Sequence, residues 1–136
     1  MWLALVARGR GARMNPNATV QVPLYRLAHG RTGDKGNRSN ISVIAYHPAL
    51  WPVIEAQVTA DRVAAHFAAR APSHVARYVL AQLQALNFVL DEMLEGGVNS
   101  ALNLDTHGKA LAFDLLQMEI DLPTDLLIHC KGPQEP

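Results

Sequence analysis

Eleven consecutive residues, Gly30-Arg31-Thr32-Gly33-Asp34-Lys35-Gly36-Asn37-Arg38-Ser39-Asn40, contain no apolar side chain. The rest of the sequence reads largely as core and helix, so a functional argument starts from this run. A β-rich segment stands on each side of it, residues 20–25 and 41–46. A stretch this polar between two strands is either a shaped turn or a site. The connection from 26 to 40 is also long for an ordinary hairpin.

The flanking periodicities set the fold class. Val20, Val22 and Leu24 alternate with Gln21 and Pro23, the period of a half-buried strand. Pro23 has no N–H for a ladder, so this strand belongs near an edge or ends there. Ile41, Val43 and Ala45 give a second, more buried strand, closed by His47-Pro48. Two short helices are predicted over 49–58 and 60–69, with Pro52 in a first turn and Thr59 as an N-cap. Residues 75–82 read as a third strand. Leu86, Val89, Leu90, Met93 and Leu94 fall on a helical stripe ending at Gly96-Gly97. Residues 98–104 make a fourth strand. Asp105 or Thr106 caps a last helix whose apolar face is Leu111, Ala112, Leu115, Leu116 and Met118. The order is β-β-α-β-α-β-α, an α+β two-layer sandwich: a four-stranded sheet with helices mainly on one face. The uncovered face calls for a twin or a partner chain, so a homo-oligomer is expected.

Composition narrows the function. The 136 residues fit one domain, with 1–18 read as a poorly ordered N-terminal extension, 19–122 as the domain and 123–136 as a loosely held tail. Met14 reads as an alternative start. Twelve basic and twelve acidic side chains leave no net charge, which argues against nucleic acid or an acidic membrane as partner. No apolar run reaches the roughly 18 residues of a membrane span. The single cysteine, Cys130, excludes an internal disulfide and a cysteine-built metal site, and a cytoplasmic address follows. His29, His47, His66, His74, His107 and His129 include no pair at helical spacing, so no metal is expected.

The polar run fails the P-loop and dinucleotide patterns, because its glycines recur every third residue and a strand follows. Its physics can still resemble theirs. Glycines at positive φ let successive N–H groups converge on an anion. Lys35 supplies a point charge, and Arg31 or Arg38 a two-pronged donor for carboxylate or phosphate. Asp34 can orient Lys35, and His29 can carry a proton or bond a carbonyl. The bland alternative is a surface turn in which Asp34 and Asn37 bond their own backbone, and composition alone favours it. Asn87, amid Leu86, Phe88, Val89 and Leu90, either holds a helix's first turn or projects toward the glycine run.

Several segments resemble one family. Residues 27–36, with Asn40-Ile41, are similar to the His-x-Arg-Ser-Gly-Asp-Lys-Gly…Asn-Ile signature of the AtuA-like C-terminal domain. That domain ends the acyclic terpene utilisation protein AtuA and also occurs as a small stand-alone protein. Arg77-Tyr78, residues 83–90, Gly96-Gly97, Leu104-Asp105 and residues 108–120 extend the likeness over about 20–122. Thr32 replaces the usual Ser and keeps its hydroxyl. Asn37 stands where Asp is common, which weakens a metal role there and favours an anion.

The resemblance implies a ferredoxin-like fold, a setting in bacterial acyl-CoA or terpenoid catabolism, and a larger AtuA-type chain as partner. It implies no reaction and no cofactor. The expected role is a non-catalytic accessory subunit or binding module. Its ligand-binding residues would be His29, Arg31, Thr32, Gly33, Asp34, Lys35, Gly36, Asn37, Arg38, Ser39, Asn40 and Asn87, and its ligand an acyl-CoA or carboxylate. The alternative is a subunit of an acyl-CoA-processing enzyme with the same loop in its active site. There Lys35 and Arg31 would hold a carboxylate or thioester oxygen, while Asp34 or His29 moves a proton.

Overall fold

The computed structural model describes residues 18–93 and 111–131. Strand β1 (Thr19–Pro23) leads through a 3-10 turn into β2 (Ala28–Lys35), which turns back as β3 (Arg38–Ala45). Helices α1 (Trp51–Gln57) and α2 (Ala60–His66) follow, then β4 (His74–Leu80) and β5 (Ala85–Asp91). Residues 111–115 are helical, and β6 (Glu119–Pro123) and a 3-10 segment (Thr124–His129) complete the order.

The strands form two antiparallel sheets. One has four strands in the order β2-β3-β5-β4; the other is a ribbon of β1 and β6. Strands β3 and β4 both run antiparallel to β5 and so are parallel to each other, with β5 between them. The α1–α2 connection therefore makes a split β-α-β unit, the arrangement of ferredoxin-like folds. The place beside β3 is filled by β2.

The α+β class and the four-stranded sheet with helices are as the sequence predicts, but the order β-β-α-β-α-β-α is not: three strands precede the helices, and a two-stranded ribbon stands beside the sheet. The polar run is no loop: residues 28–35 are a strand in full register with β3, closed by the two-residue turn Gly36-Asn37. Gly36 has φ +61 and Asn37 is not in the left-handed region, which fits a hairpin turn with glycine first. Gly30 serves another purpose. A Cβ there would lie 3.2 Å from the Ser42 carbonyl and 3.5 Å from Leu116 Cδ1, so its absence lets the 111–116 segment close onto β2. The helix expected over 86–94 is β5, because Leu86, Phe88 and Leu90 also alternate, and a strand between two others reads as nearly continuous apolar sequence. The first predicted strand lies in the ribbon, with Pro23 at its end as anticipated. The Gly96-Gly97 cap, the strand over 98–104 and the extension 1–17 lie outside the described residues.

Local signals hold where they were strong. Thr59 Oγ1 accepts the Arg62 N–H at 3.1 Å, and Pro52 sits in the first turn of α1. One core joins both sheets and the helices: Ile41, Val43, Leu86, Phe88 and Leu90 from the large sheet, Val22, Ile120 and Leu122 from the ribbon. Ile54, Val63, Phe67, Leu111 and Leu115 complete it. The segment after Pro123 is not loose through Lys131. Leu126 and Leu127 pack on the core, Cys130 is buried, and the Lys131 N–H donates to the Arg26 carbonyl at 2.8 Å.

Candidate functional site

Side chains alternate across a strand, so the register sorts the polar run into two sets. Ala28, Thr32 and Ser39 fall on the helix-covered face, opposite Ala45, Ile41 and Leu90. His29, Arg31, Gly33, Asn40 and Ser42 fall on the open face. There the pairings build transverse rows across all four strands. The central row is Arg31, Ser42, Asn87 and Tyr78; beside it run Gly33, Asn40, Val89 and Ala76.

Asn87 is the hub of this surface. Its Oδ1 faces the Asn40 amide nitrogen at 3.4 Å and the Ser42 hydroxyl at 3.5 Å. Both are long for hydrogen bonds and orient the amide more than they stabilise it. With Oδ1 turned toward these two donors of β3, the Asn87 NH2 group points away from β3 and donates to no described residue. Arg31, two strands from Asn87 in the same row, is exposed, and its side chain bonds no described residue. Two strands apart on one face, a guanidinium and an amide NH2 that bond no described residue make the row donor-rich, the complement of a carboxylate, phosphate or thioester oxygen.

Arg38 is a different kind of arginine. Its Nε donates to Asp91 Oδ1 at 2.7 Å, and that bond, reinforced by the opposite charge, raises the guanidinium pKa further. It closes the hairpin against β5 and is committed there. Around it Asn37, Arg38, Ser73, Asp91 and Glu92 line a polar depression of about 320 Å³. His29 stands at the other end of the face, stacked on Tyr46 with ring centres 5.4 Å apart. Lys131 Nζ lies 4.9 Å from the centre of the Tyr46 ring.

The convergence of successive N–H groups on an anion is overturned. Among the described glycines only Gly36 has positive φ, and in a paired strand successive N–H groups point in opposite directions. Thr32 is spoken for as well: its Oγ1 accepts the Ala112 N–H at 3.1 Å, on the covered side. Asp34 and Lys35 pair in register with Ser39 and Arg38, and their side chains lie outside the described structure. The sheet thus brings Arg31, Asn40 and Asn87 together and separates them from Thr32, Ser39 and the turn.

A family model described as the AtuA ferredoxin-like domain matches residues 22–121. The chain belongs to this family. No curated protein and no solved structure matches it.

In this AtuA ferredoxin-like domain the sequence reading passed over two groups. Ser42 and Tyr78 join the central row only through register, which a list of polar residues cannot supply. His66 Nε2 lies 2.8 Å from the Asp114 carbonyl and 3.1 Å from its carboxylate. A carbonyl only accepts, so Nε2 carries the proton. The adjoining cleft of about 400 Å³ is lined by Arg62, Ala65, His66, Gln117, Met118 and Glu119. Its cation is committed to the fold, since Arg62 donates to the Gln57 and Glu119 carbonyls at 3.3 and 2.9 Å. No group of three or more metal-ligating side chains gathers among the described residues, and no helix there is long and apolar enough to cross a membrane.

Proposed function

We propose that this AtuA-type domain is a binding subunit that receives an amphiphilic anion on the open face of its large sheet. The ligand class is a carboxylic acid or acyl-CoA, in keeping with a cytoplasmic place in acyl-CoA or terpenoid catabolism beside a larger AtuA-type chain. One observation carries the reading: the Arg31 guanidinium has no partner among the described residues and shares its row with the Asn87 amide. Half-buried Ile44, Val89 and Ala76 and exposed Tyr78 lie on the same face, an apolar bed for an acyl chain next to a donor-rich end for its head. The strand scaffold fixes the backbone positions of these groups before a ligand arrives, while the exposed Arg31 side chain is ordered by the ligand it binds.

A hydrogen bond to a charged group contributes about 1.5–3 kcal/mol. Losing Arg31 should therefore weaken binding by roughly tenfold to a hundredfold. A thermal-shift screen of free CoA, acyl-CoAs, medium-chain carboxylates and phosphate tests this on the parent and on Arg31→Ala and Asn87→Asp. The reading expects a ligand that raises the parent's Tm and leaves both variants unmoved. Equal shifts in all three proteins would place binding elsewhere.

A further inference from the structure

His47 and His129 lie ring on ring, their centres 3.8 Å apart and their planes 24° from parallel. His47 follows β3 and caps the 3-10 turn Pro48–Leu50, and His129 ends the 3-10 segment Thr124–His129. The stack therefore clasps that segment to the end of the large sheet.

The His47 ring has no free place for another proton. Its Nδ1 accepts the Ala49 N–H at 3.0 Å, so the neutral ring carries its hydrogen on Nε2. A second proton has only Nδ1 to bind, and there it meets the Ala49 N–H. One proton on the pair can rest on His129 with the stack intact. Two protons break the cap and set two cations face to face.

No acid relieves them. Glu55 on α1, Glu119 and Asp121 on β6 and Asp125 in the 3-10 segment form no ion pair with either ring, whereas His66 has the Asp114 carboxylate at 3.1 Å. The charges gathered at this end of the sheet are basic. Arg26 Nε donates to the Lys131 carbonyl at 3.3 Å, and the Lys131 ammonium lies over Tyr46, whose ring stacks on His29. The remaining titratable group is the Cys130 thiol, which is buried and gives its hydrogen to the Leu126 carbonyl.

We propose that the His47–His129 stack is a pH-sensitive latch, which holds residues 124–131 on the fold at neutral pH and releases them when both rings are protonated. Histidine is the side chain that changes charge in this range, and clustered histidines are a general means of switching a contact with acid. The stability that the latch contributes is present above the ordinary imidazole range, about pH 6.5, and is lost as the pH falls through it. Release uncovers Leu126, Leu127 and Cys130 and lifts Lys131 from Tyr46, at the His29 end of the open face.

Cys130, the chain's single cysteine, is 8 % exposed and reports the state of the latch. The full chain is treated with dithiodipyridine, a disulfide that thiols attack in acid as well as at neutral pH. Protection is the rate in the urea-unfolded chain divided by the rate in the native one at the same pH. In the parent it should fall by roughly tenfold between about pH 7.5 and about pH 5.5, with the far-UV circular dichroism constant. His47→Asn keeps an acceptor for the Ala49 N–H, His129→Phe keeps a stacked ring, and neither new side chain titrates. The double variant should hold its protection within about twofold over the same range. Protection in the parent that does not change with pH overturns the proposal. A fall as steep in the folded double variant also overturns it, as does a fall that comes only with loss of the circular dichroism signal. Should the double variant not fold, His129→Phe alone must lose less protection than the parent, and an equal loss overturns the latch. None of these results touches the ligand reading, which is measured on Arg31 and Asn87.

Discussion

The two faces of the large sheet are made by the same strands and do opposite work. On the covered face, Ile41, Val43, Leu86, Phe88 and Leu90 are at most 1 % exposed and meet the helices in one continuous core. On the open face, the residues between them include Asn40, Ser42, Asn87 and Asp91, and on β2 the neighbour of Thr32 is Arg31. Stability is concentrated on one side and unspent hydrogen-bonding capacity on the other. The lesson is that adjacent residues in one strand should fail in different ways.

The largest loss of stability is expected in the core. Phe88→Ala should destabilise the fold by about 3–5 kcal/mol in urea or thermal unfolding, while the folded fraction keeps the parent's affinity for ligand. Next comes the hairpin turn that fixes the register of β2: Gly36→Val puts a β-branched residue at positive φ and should cost about 1–2 kcal/mol. Its temperature of unfolding is the readout. Thr32→Val deletes the acceptor for the Ala112 N–H and should cost about 1 kcal/mol with ligand affinity unchanged. Its neighbour Arg31→Ala should do the reverse, losing affinity with stability within about 0.5 kcal/mol of the parent. If Thr32→Val abolished binding, the division between the faces would be wrong. The smallest stability effect is expected from Gly33→Ala. A Cβ there would lie 2.6 Å from Asn40 Oδ1, the movable end of a side chain, so the amide swings away and the fold survives. Loss of the Asn40–Asn87 contact should then lower affinity a few-fold, measurable by calorimetry, with Tm nearly constant.

Much of this was legible in the sequence where the signal was local. The Thr59 cap and the placing of Pro52 and Pro23 follow from the chemistry of single residues, and the structure has all three. The family signature was legible as well. The parts that depend on distant residues were not. Strand β2 has glycines and charges where a strand usually has β-branched residues, and it is held by pairing with β3 and by the packing of Ala112 and Leu116 over Gly30. Strand β5 carries both a helical stripe and an alternating one, and only its place between β3 and β4 decides between them. Asn87 stood out as an amide in an apolar run, but its neighbours Ser42 and Asn40 are fixed by register alone.

An acyl anion on the open face, centred on the row of Arg31 and Asn87, is the proposal on which the function rests. The most direct test is a two-dimensional ¹H–¹⁵N correlation titration of the parent with an acyl-CoA and with a medium-chain carboxylate. The prediction is a saturable shift of the Arg31 and Asn87 side-chain signals and of the backbone amides of Ser42, Tyr78 and Val89, with those of α1 and α2 unmoved. Shifts gathered around Arg62, His66 and Glu119, or no shift at any concentration, would contradict it.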